Sequence, residues 1–145
     1  MQTLYTDNYM EIKKQEEEDF LEILQKQQID DNIVFYALSE KIIQIVKEYH
    51  CSSLVFVVND IKYYPDTNYF QKTYVPMLGE QGVKNLAVVV SNDEDVKAFH
   101  KELDNSLSTV KQRYGLQLRF FSDASDAKAW LTSHQTSRCN DIGIR

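Results

Sequence analysis

The polar side chains of this chain that could carry out chemistry are few and widely spaced. Its three histidines, His50, His100 and His134, lack the spacing of three or four residues that lets two side chains of one helix bind a metal ion. No GxSxG segment presents a nucleophilic serine. None of the four glycines opens a helix after a strand, so the phosphate-binding loops of nucleotide sites are missing. The sequence therefore predicts a protein without enzymatic activity, bound metal or cofactor.

One catalytic hypothesis remains, a hydrolase or transferase built on Asp60, Asp66 and His100. It requires the three side chains to lie within hydrogen-bond reach of one another, directly or through one water. His100 follows Phe99 in a helical stripe, and we expect it on the exposed side of that helix. We therefore rank this hypothesis behind two binding hypotheses.

The densest group of candidate binding residues surrounds Pro65. Open α/β sheets bind ligands and partners with the loops at the carboxyl ends of parallel strands, and the loop of residues 59–67 is the longest such loop. Its aromatic side chains either line a ligand groove or pack as ordinary core, and packing is the commoner role. Helix capping alone explains Asp66 and Thr67, although a phosphate added to Thr67 would be stabilised at a helix N-terminus. The candidate binding or regulatory residues are Asn59, Asp60, Tyr63, Tyr64, Asp66, Thr67 and Tyr69.

Two helices that flank this loop follow from hydrophobic periodicity. An apolar stripe over residues 34–49 predicts a long helix that begins at Asp30 or Asp31 and ends near His50. A second stripe over residues 69–78 contains Pro76, which should kink or split the helix.

Two further helices are predicted in the second half of the chain. Apolar residues over 96–114 recur at spacings of three and four and predict one long amphipathic helix that ends at Gly115. A short final helix is expected after Ser122 or Asp123.

The strands are indicated by continuous apolar runs. Leu54–Val58 and Leu86–Val90 are typical of strands covered on both faces, as in parallel sheets, and Leu116–Phe121 predicts another. Together with the hairpin described next, the pattern predicts an α/β fold in the order β-β-α-β-α-β-α-β-α. Its sheet is mixed, mostly parallel and five-stranded, with an antiparallel strand at its N-terminal end. We expect one domain over residues 1–133 and a polar tail over residues 134–145.

The N-terminal region has two interpretations. Short apolar segments at residues 9–12 and 20–24 flank the acidic run Glu16–Asp19, which favours an antiparallel hairpin with a solvated turn. A helix from Glu16 through Gln27 is the alternative, because glutamate, leucine and glutamine all favour helices. An exposed edge strand of this hairpin would offer a surface for sheet-to-sheet homodimerisation.

Charge and composition exclude several classes of protein. The formal net charge of −6 disfavours nucleic-acid binding, and two cysteines in 145 residues exclude a disulfide scaffold. The longest apolar runs are far shorter than the ~20 residues of a membrane-spanning helix. The first residues do not have the pattern of a signal peptide, so we expect a cytoplasmic protein.

Two segments of the chain resemble a known family. Val83–Asp93 (VKNLAVVVSND) and Arg119–Leu131 (RFFSDASDAKAWL) are similar to the SpoIIAA-like branch of STAS/SEC14-type domains. In that group a phenylalanine-bearing strand is followed by an acidic cap and a short helix with an A-W-L segment. The corresponding residues here are Phe120–Phe121, Asp123 and Ala129–Leu131. The resemblance covers residues 5–133 in the order of elements.

The resemblance implies a mixed sheet wound as successive β–α turns and a non-enzymatic, regulatory module that binds a protein partner. Some members are switched by phosphorylation at an Asp-Ser-Ser motif followed by glycine. Asp66 and Thr67 match its first two positions, whereas Asn68 replaces the second serine and no glycine follows. The comparison with lipid-binding SEC14 domains gives the alternative, a small apolar ligand bound by the tyrosine-rich loop and the second helix.

Overall fold

The computed structural model describes residues 2–15, 17–62 and 64–133 of the chain. The predicted tail of residues 134–145, Glu16 and the candidate site residue Tyr63 lie outside the described residues. The strands are β1 (Gln2–Thr6), β2 (Met10–Lys14), β3 (Phe20–Gln25), β4 (Ser53–Asn59), β5 (Asn85–Val90) and β6 (Gln117–Phe121). The helices are α1 (Asn32–Tyr49), α2 (Thr67–Tyr69), α3 (Val75–Glu80), α4 (Glu94–Ser106), α5 (Ser108–Tyr114) and α6 (124–133).

The strands form one mixed sheet whose spatial order follows the chain. Within the described residues it has six strands, in the order β1 to β6. The pairs β1–β2 and β2–β3 are antiparallel, and the pairs from β3 to β6 are parallel. The predicted α/β class with an antiparallel N-terminal strand is confirmed.

The sheet departs from the prediction at its N-terminal end. The predicted hairpin is present as β2 and β3, so the alternative helix over Glu16–Gln27 is wrong. The predicted number of five strands is also wrong, because Gln2–Thr6 adds β1 outside β2. The turn between them forms because the Asp7 carboxylate accepts hydrogen bonds from the backbone N–H groups of Tyr9 and Met10. The edge strand at this end is therefore β1, not the predicted hairpin strand.

The two faces of the sheet are covered differently. On one face, side chains of β2 to β5 such as Ile12, Leu21, Leu54 and Leu86 share a core with α1 and α3. On the other face, Val55 and Val57 of β4 and Ala87 and Val89 of β5 pack against α6. The first face therefore carries the larger interior, and the candidate site lies there.

The helix boundaries have local causes. Asp31, one of the two predicted caps, accepts hydrogen bonds from two backbone N–H groups at the start of α1, and the helix ends at His50, close to the predicted end. His50 has the left-handed conformation. The predicted single helix over residues 96–114 is instead split into α4 and α5 at Leu107, a fully buried residue. Gly115 ends α5 with a φ of 65°, as its position after the apolar stripe predicted.

The segment around Pro76 contains a π-helical turn, Phe70–Tyr74, between α2 and α3. The backbone N–H of Val75 donates to the carbonyl of Phe70, five residues back. Pro76 has no N–H to donate and its ring crowds the preceding turn, so a regular helix cannot run through this segment. The split predicted from Pro76 is confirmed, and the wider turn places Phe70 and Tyr74 in the wall of a cavity.

Candidate ligand-binding cavity

An apolar cavity lies between the sheet and the helices that cover its first face. Its walls are side chains of β2 to β6, of α1, of the segment from Tyr64 to α3, and of α4. The space open to the centre of a water-sized sphere is ≈ 70 Å³. A single water molecule needs about 10–15 Å³ by this measure, so the cavity has room for several waters or for part of a small organic molecule.

Stacked aromatic rings form one wall of the cavity. Tyr64 lies between Phe35 of α1 and Phe70, with ring-centroid distances of 5.6 and 5.1 Å and interplanar angles of 17° and 9°. The edge of the His100 ring meets Tyr64 at 6.1 Å, and Phe70 meets Tyr74 at 5.5 Å. Rings are large and rigid, so a wall built from them keeps its shape without filling the space between the layers.

The imidazole of His100 lines the cavity from α4 and is 3% exposed. Its Nδ1 lies 2.9 Å from the carbonyl oxygen of Val96. A carbonyl only accepts hydrogen bonds, so Nδ1 carries the proton and Nε2 of the neutral ring is an acceptor. Nε2 is buried and has no hydrogen-bond partner among the described residues. Burial lowers the pKa of His100, which keeps the ring neutral.

The hydroxyl of Tyr74 is the second unbonded polar group in this wall. Tyr74 is 3% exposed, and its hydroxyl has no hydrogen-bond partner in the described part of the chain. Burial raises the pKa of Tyr74 well above its usual value, so the hydroxyl keeps its proton and can donate it. The cavity lining, which is mostly apolar, thus contains one acceptor on His100 and one donor on Tyr74 that have no partner among the described residues.

The predicted loop of residues 59–67 contributes to this cavity through only one of its described residues, Tyr64. Burial raises the pKa of the Tyr64 hydroxyl. Asn59 and Asp60 are exposed at the carboxyl end of β4, and Asn59 has a φ of 30°. The structure therefore separates the predicted site residues: Tyr64 lies in the cavity wall, whereas Asn59 and Asp60 are exposed.

The remaining predicted residues form the start of α2. The Asp66 carboxylate accepts hydrogen bonds from the Tyr36 hydroxyl at 2.5 Å and from the Tyr69 backbone N–H at 2.9 Å. These bonds, chiefly the one from Tyr36, hold the pKa of Asp66 below its usual value. Asp66 is the N-cap, as predicted, and Thr67 is exposed beside it. Tyr69 packs against Tyr36 with ring centroids 4.4 Å apart, so its ring stabilises the loop.

Two of the three residues of the catalytic hypothesis, Asp66 and His100, have other partners. His100 bonds to Val96 and Asp66 bonds to Tyr36 and Tyr69, and no hydrogen bond in the described ranges joins Asp60, Asp66 and His100. The prediction that His100 is exposed is wrong, because this side chain points into the core. Over residues 2–15, 17–62 and 64–133, no group of three or more His, Cys, Asp or Glu side chains could hold a metal ion.

The sequence predicted His100 on the wrong side of α4 because two different stripes of residues fit the spacing of a buried helix face equally well. Val96, Phe99 and Leu103 have helical spacing, but so have Val96, His100 and Leu103. Hydrophobicity favoured Phe99 for the interior, whereas the structure buries His100 more deeply than Phe99. Tyr74 carried no such signal, since a buried tyrosine normally has a partner for its hydroxyl and only the fold shows that this one has none.

No protein-family model, curated protein or solved structure matches this chain. None of the helices that the structure describes has the length and apolar character needed to cross a membrane.

Proposed function

We propose that this protein binds a small, mostly apolar ligand in the cavity between its helices and its sheet. The observation that carries the proposal is that two residues of one mostly apolar lining, His100 and Tyr74, each have a buried polar atom without a hydrogen-bond partner among the described residues. Leaving a buried polar group without a hydrogen bond destabilises a fold by about 1–3 kcal/mol. Ligand sites combine an apolar lining with a few such groups, which orient the ligand.

The two groups define the complementary ligand. Nε2 accepts a hydrogen bond and the tyrosine hydroxyl donates one, so a ligand hydroxyl can bond with either group. The rest of the ligand is apolar, because aromatic and aliphatic side chains make up nearly all of the lining. No nucleophile or paired acid and base is needed for this activity.

Native mass spectrometry of the freshly purified protein tests the proposal, followed by titration of the stripped protein with 1-decanol. We expect a co-purified small molecule or saturable binding of 1-decanol. Replacing Ser39 with leucine adds volume to the cavity wall, and the hydroxyl that is lost donates to the carbonyl of Phe35 in its own helix. The S39L variant should therefore fold and lose the ligand. A clean apo mass together with no saturable uptake of 1-decanol overturns the proposal.

Single-atom variants provide the matched comparison. Tyr74→Phe removes a hydroxyl inside the cavity, and Tyr36→Phe removes one outside it that bonds to Asp66. Loss of one neutral hydrogen bond weakens binding by about 3–10-fold, so Y74F should bind 1-decanol more weakly than Y36F. Equal affinities for the two variants would show that the Tyr74 hydroxyl does not meet the ligand.

A second candidate function is a STAS-like module that binds a protein partner. It is supported by the serial order β3 to β6, which agrees with the successive β–α turns implied by the family resemblance. Its surface would be the exposed polar residues at the carboxyl end of β4, including Asp60 and Thr67. An affinity pull-down that compares the wild type with an Asp60→Arg/Thr67→Glu variant tests it, and an identical set of recovered proteins contradicts it.

A further inference from the structure

A cleft with both polar and apolar side chains lies beside the apolar cavity, at the carboxyl ends of β5 and β6. Its volume is ≈ 370 Å³ on the same measure as the cavity, and it is bounded on one side by α4. Asn92 follows β5 and Ser122 follows β6, and both contribute polar groups to the cleft. The carboxyl ends of parallel strands are where open α/β sheets bind ligands.

The cleft and the cavity share part of their walls. His100 of α4 and Phe120 of β6 line both spaces, and their ring centroids are 6.1 Å apart. The two side chains therefore form a wall that the apolar cavity and the cleft share. A ligand that passes between them would have its apolar part inside and its polar end in the cleft.

Two lysines give this cleft its charge. Lys97 and Lys101 are one helical turn apart on α4, and both line the cleft. Neither forms a salt bridge or a side-chain hydrogen bond with a described residue. Both positive charges line the same cleft, in a chain whose formal net charge is −6. Such a pair attracts an anion.

We infer that the ligand is a single-chain amphiphile with an anionic head group that binds between Lys97 and Lys101, while its chain, with the hydroxyl that meets His100 or Tyr74, enters the apolar cavity. This inference rests on the proposed function of the cavity. Two sources of the anion share this chemistry, a carboxylate and a phosphate monoester.

Titration with ligands of equal chain length tests the inference. The probes are decanoate, decyl phosphate, 1-decanol and decylamine, each measured by isothermal titration calorimetry below its micelle concentration. We expect an anionic probe to bind most tightly, 1-decanol more weakly and decylamine least. Comparison of decanoate with decyl phosphate then identifies which anion the cleft prefers.

Removal of the lysine charges is a second test of the inference. Exposed ion pairs contribute up to about 1 kcal/mol, or fivefold, so Lys97→Gln/Lys101→Gln should weaken binding of the preferred anion by about 5–20-fold and leave 1-decanol within about twofold. The matched control, Lys47→Gln/Lys72→Gln, removes two exposed charges outside both spaces and should leave all affinities unchanged. Added salt should weaken binding of the anionic probe to the wild type more than to the cleft variant.

The outcomes separate the two proposals. If no probe binds, the cavity function itself fails. If 1-decanol binds as tightly as both anions, or if the cleft variant retains wild-type affinity for them, the cavity function stands and the anionic head group is refuted.

Discussion

Replacement of Tyr74 by phenylalanine should stabilise the ligand-free protein, although it removes a polar group from a tyrosine that is 3% exposed. In most buried tyrosines the hydroxyl has a partner, and its removal destabilises the fold. The Tyr74 hydroxyl has none among the described residues, so the folded state bears its desolvation without a compensating bond. Phenylalanine keeps the ring and its edge contact with Phe70.

The magnitude follows from two opposing contributions. Relief of the unbonded hydroxyl stabilises the fold by about 1–3 kcal/mol. The void left by one oxygen atom is smaller than a methyl-sized cavity, which costs about 1 kcal/mol. The net gain is about 1 kcal/mol in the free energy of unfolding. For 145 residues the unfolding entropy is about 0.3 kcal/mol/K, so Tm should rise by about 3 °C.

The assay is differential scanning calorimetry at pH 7.5 on protein stripped of ligand by unfolding and refolding. Tyr36→Phe is the control, because its hydroxyl donates to Asp66 at 2.5 Å and its removal should lower Tm. A fall in Tm of the Y74F variant comparable to that of Y36F would refute the reasoning, since it would show that the Tyr74 hydroxyl already has a bonding partner in the folded protein.

Three other predictions concern the fold that holds the cavity. Stability should decrease as pH falls below about 6.5, because burial lowers the pKa of His100 and the unfolded chain takes up a proton that the folded chain does not. Uptake of one proton changes the free energy of unfolding by at most about 1.4 kcal/mol per pH unit. In urea unfolding between pH 5 and 6.5, His100→Gln should reduce this dependence of the free energy of unfolding on pH. Gly79→Ala should destabilise the fold by about 1–3 kcal/mol in urea unfolding, because the new Cβ would lie 2.5 Å from Cγ of Tyr114. In a Tyr114→Ala background the same substitution should be neutral or stabilising, because alanine favours the helix more than glycine does. Asp31→Ala should lower the free energy of unfolding by about 0.5–2 kcal/mol through loss of the α1 cap, and an unchanged urea midpoint would contradict this.

The sequence predicted the fold well wherever one local pattern had one explanation. The apolar runs that became β4 and β5 and the stripe that became α1 are long and unambiguous. β1 was missed because this strand is only five residues long and its residues are mostly exposed. Its pairing with β2 also depends on the turn that the Asp7 carboxylate stabilises. The break at Leu107 was missed because the stripe over residues 96–114 continues through it with correct spacing.

The candidate site was predictable only in part, for a physical reason. The sequence indicated an aromatic cluster after β4 that either lines a ligand groove or packs as ordinary core. Tyr64 lies in the cavity wall, as the first of these alternatives requires. An internal cavity is a property of how several elements pack, however, and no periodicity within one element reports it. Whether the Tyr74 hydroxyl finds a partner depends in the same way on side chains brought in by other elements.

The choice of residues in the cavity wall favours binding over simple packing. A chain selected only to fold would gain stability from phenylalanine in place of Tyr74 and from an apolar side chain in place of His100, because both polar groups are buried without full compensation. Proteins commonly retain such destabilising groups where a function needs them. Two of them line one apolar space, and one, His100, also borders a cleft with two lysines that form no salt bridge with a described residue. Packing explains neither this shared wall nor the lysine pair in the cleft, whereas an amphiphilic ligand explains both. The titration with neutral and anionic probes is therefore the decisive measurement.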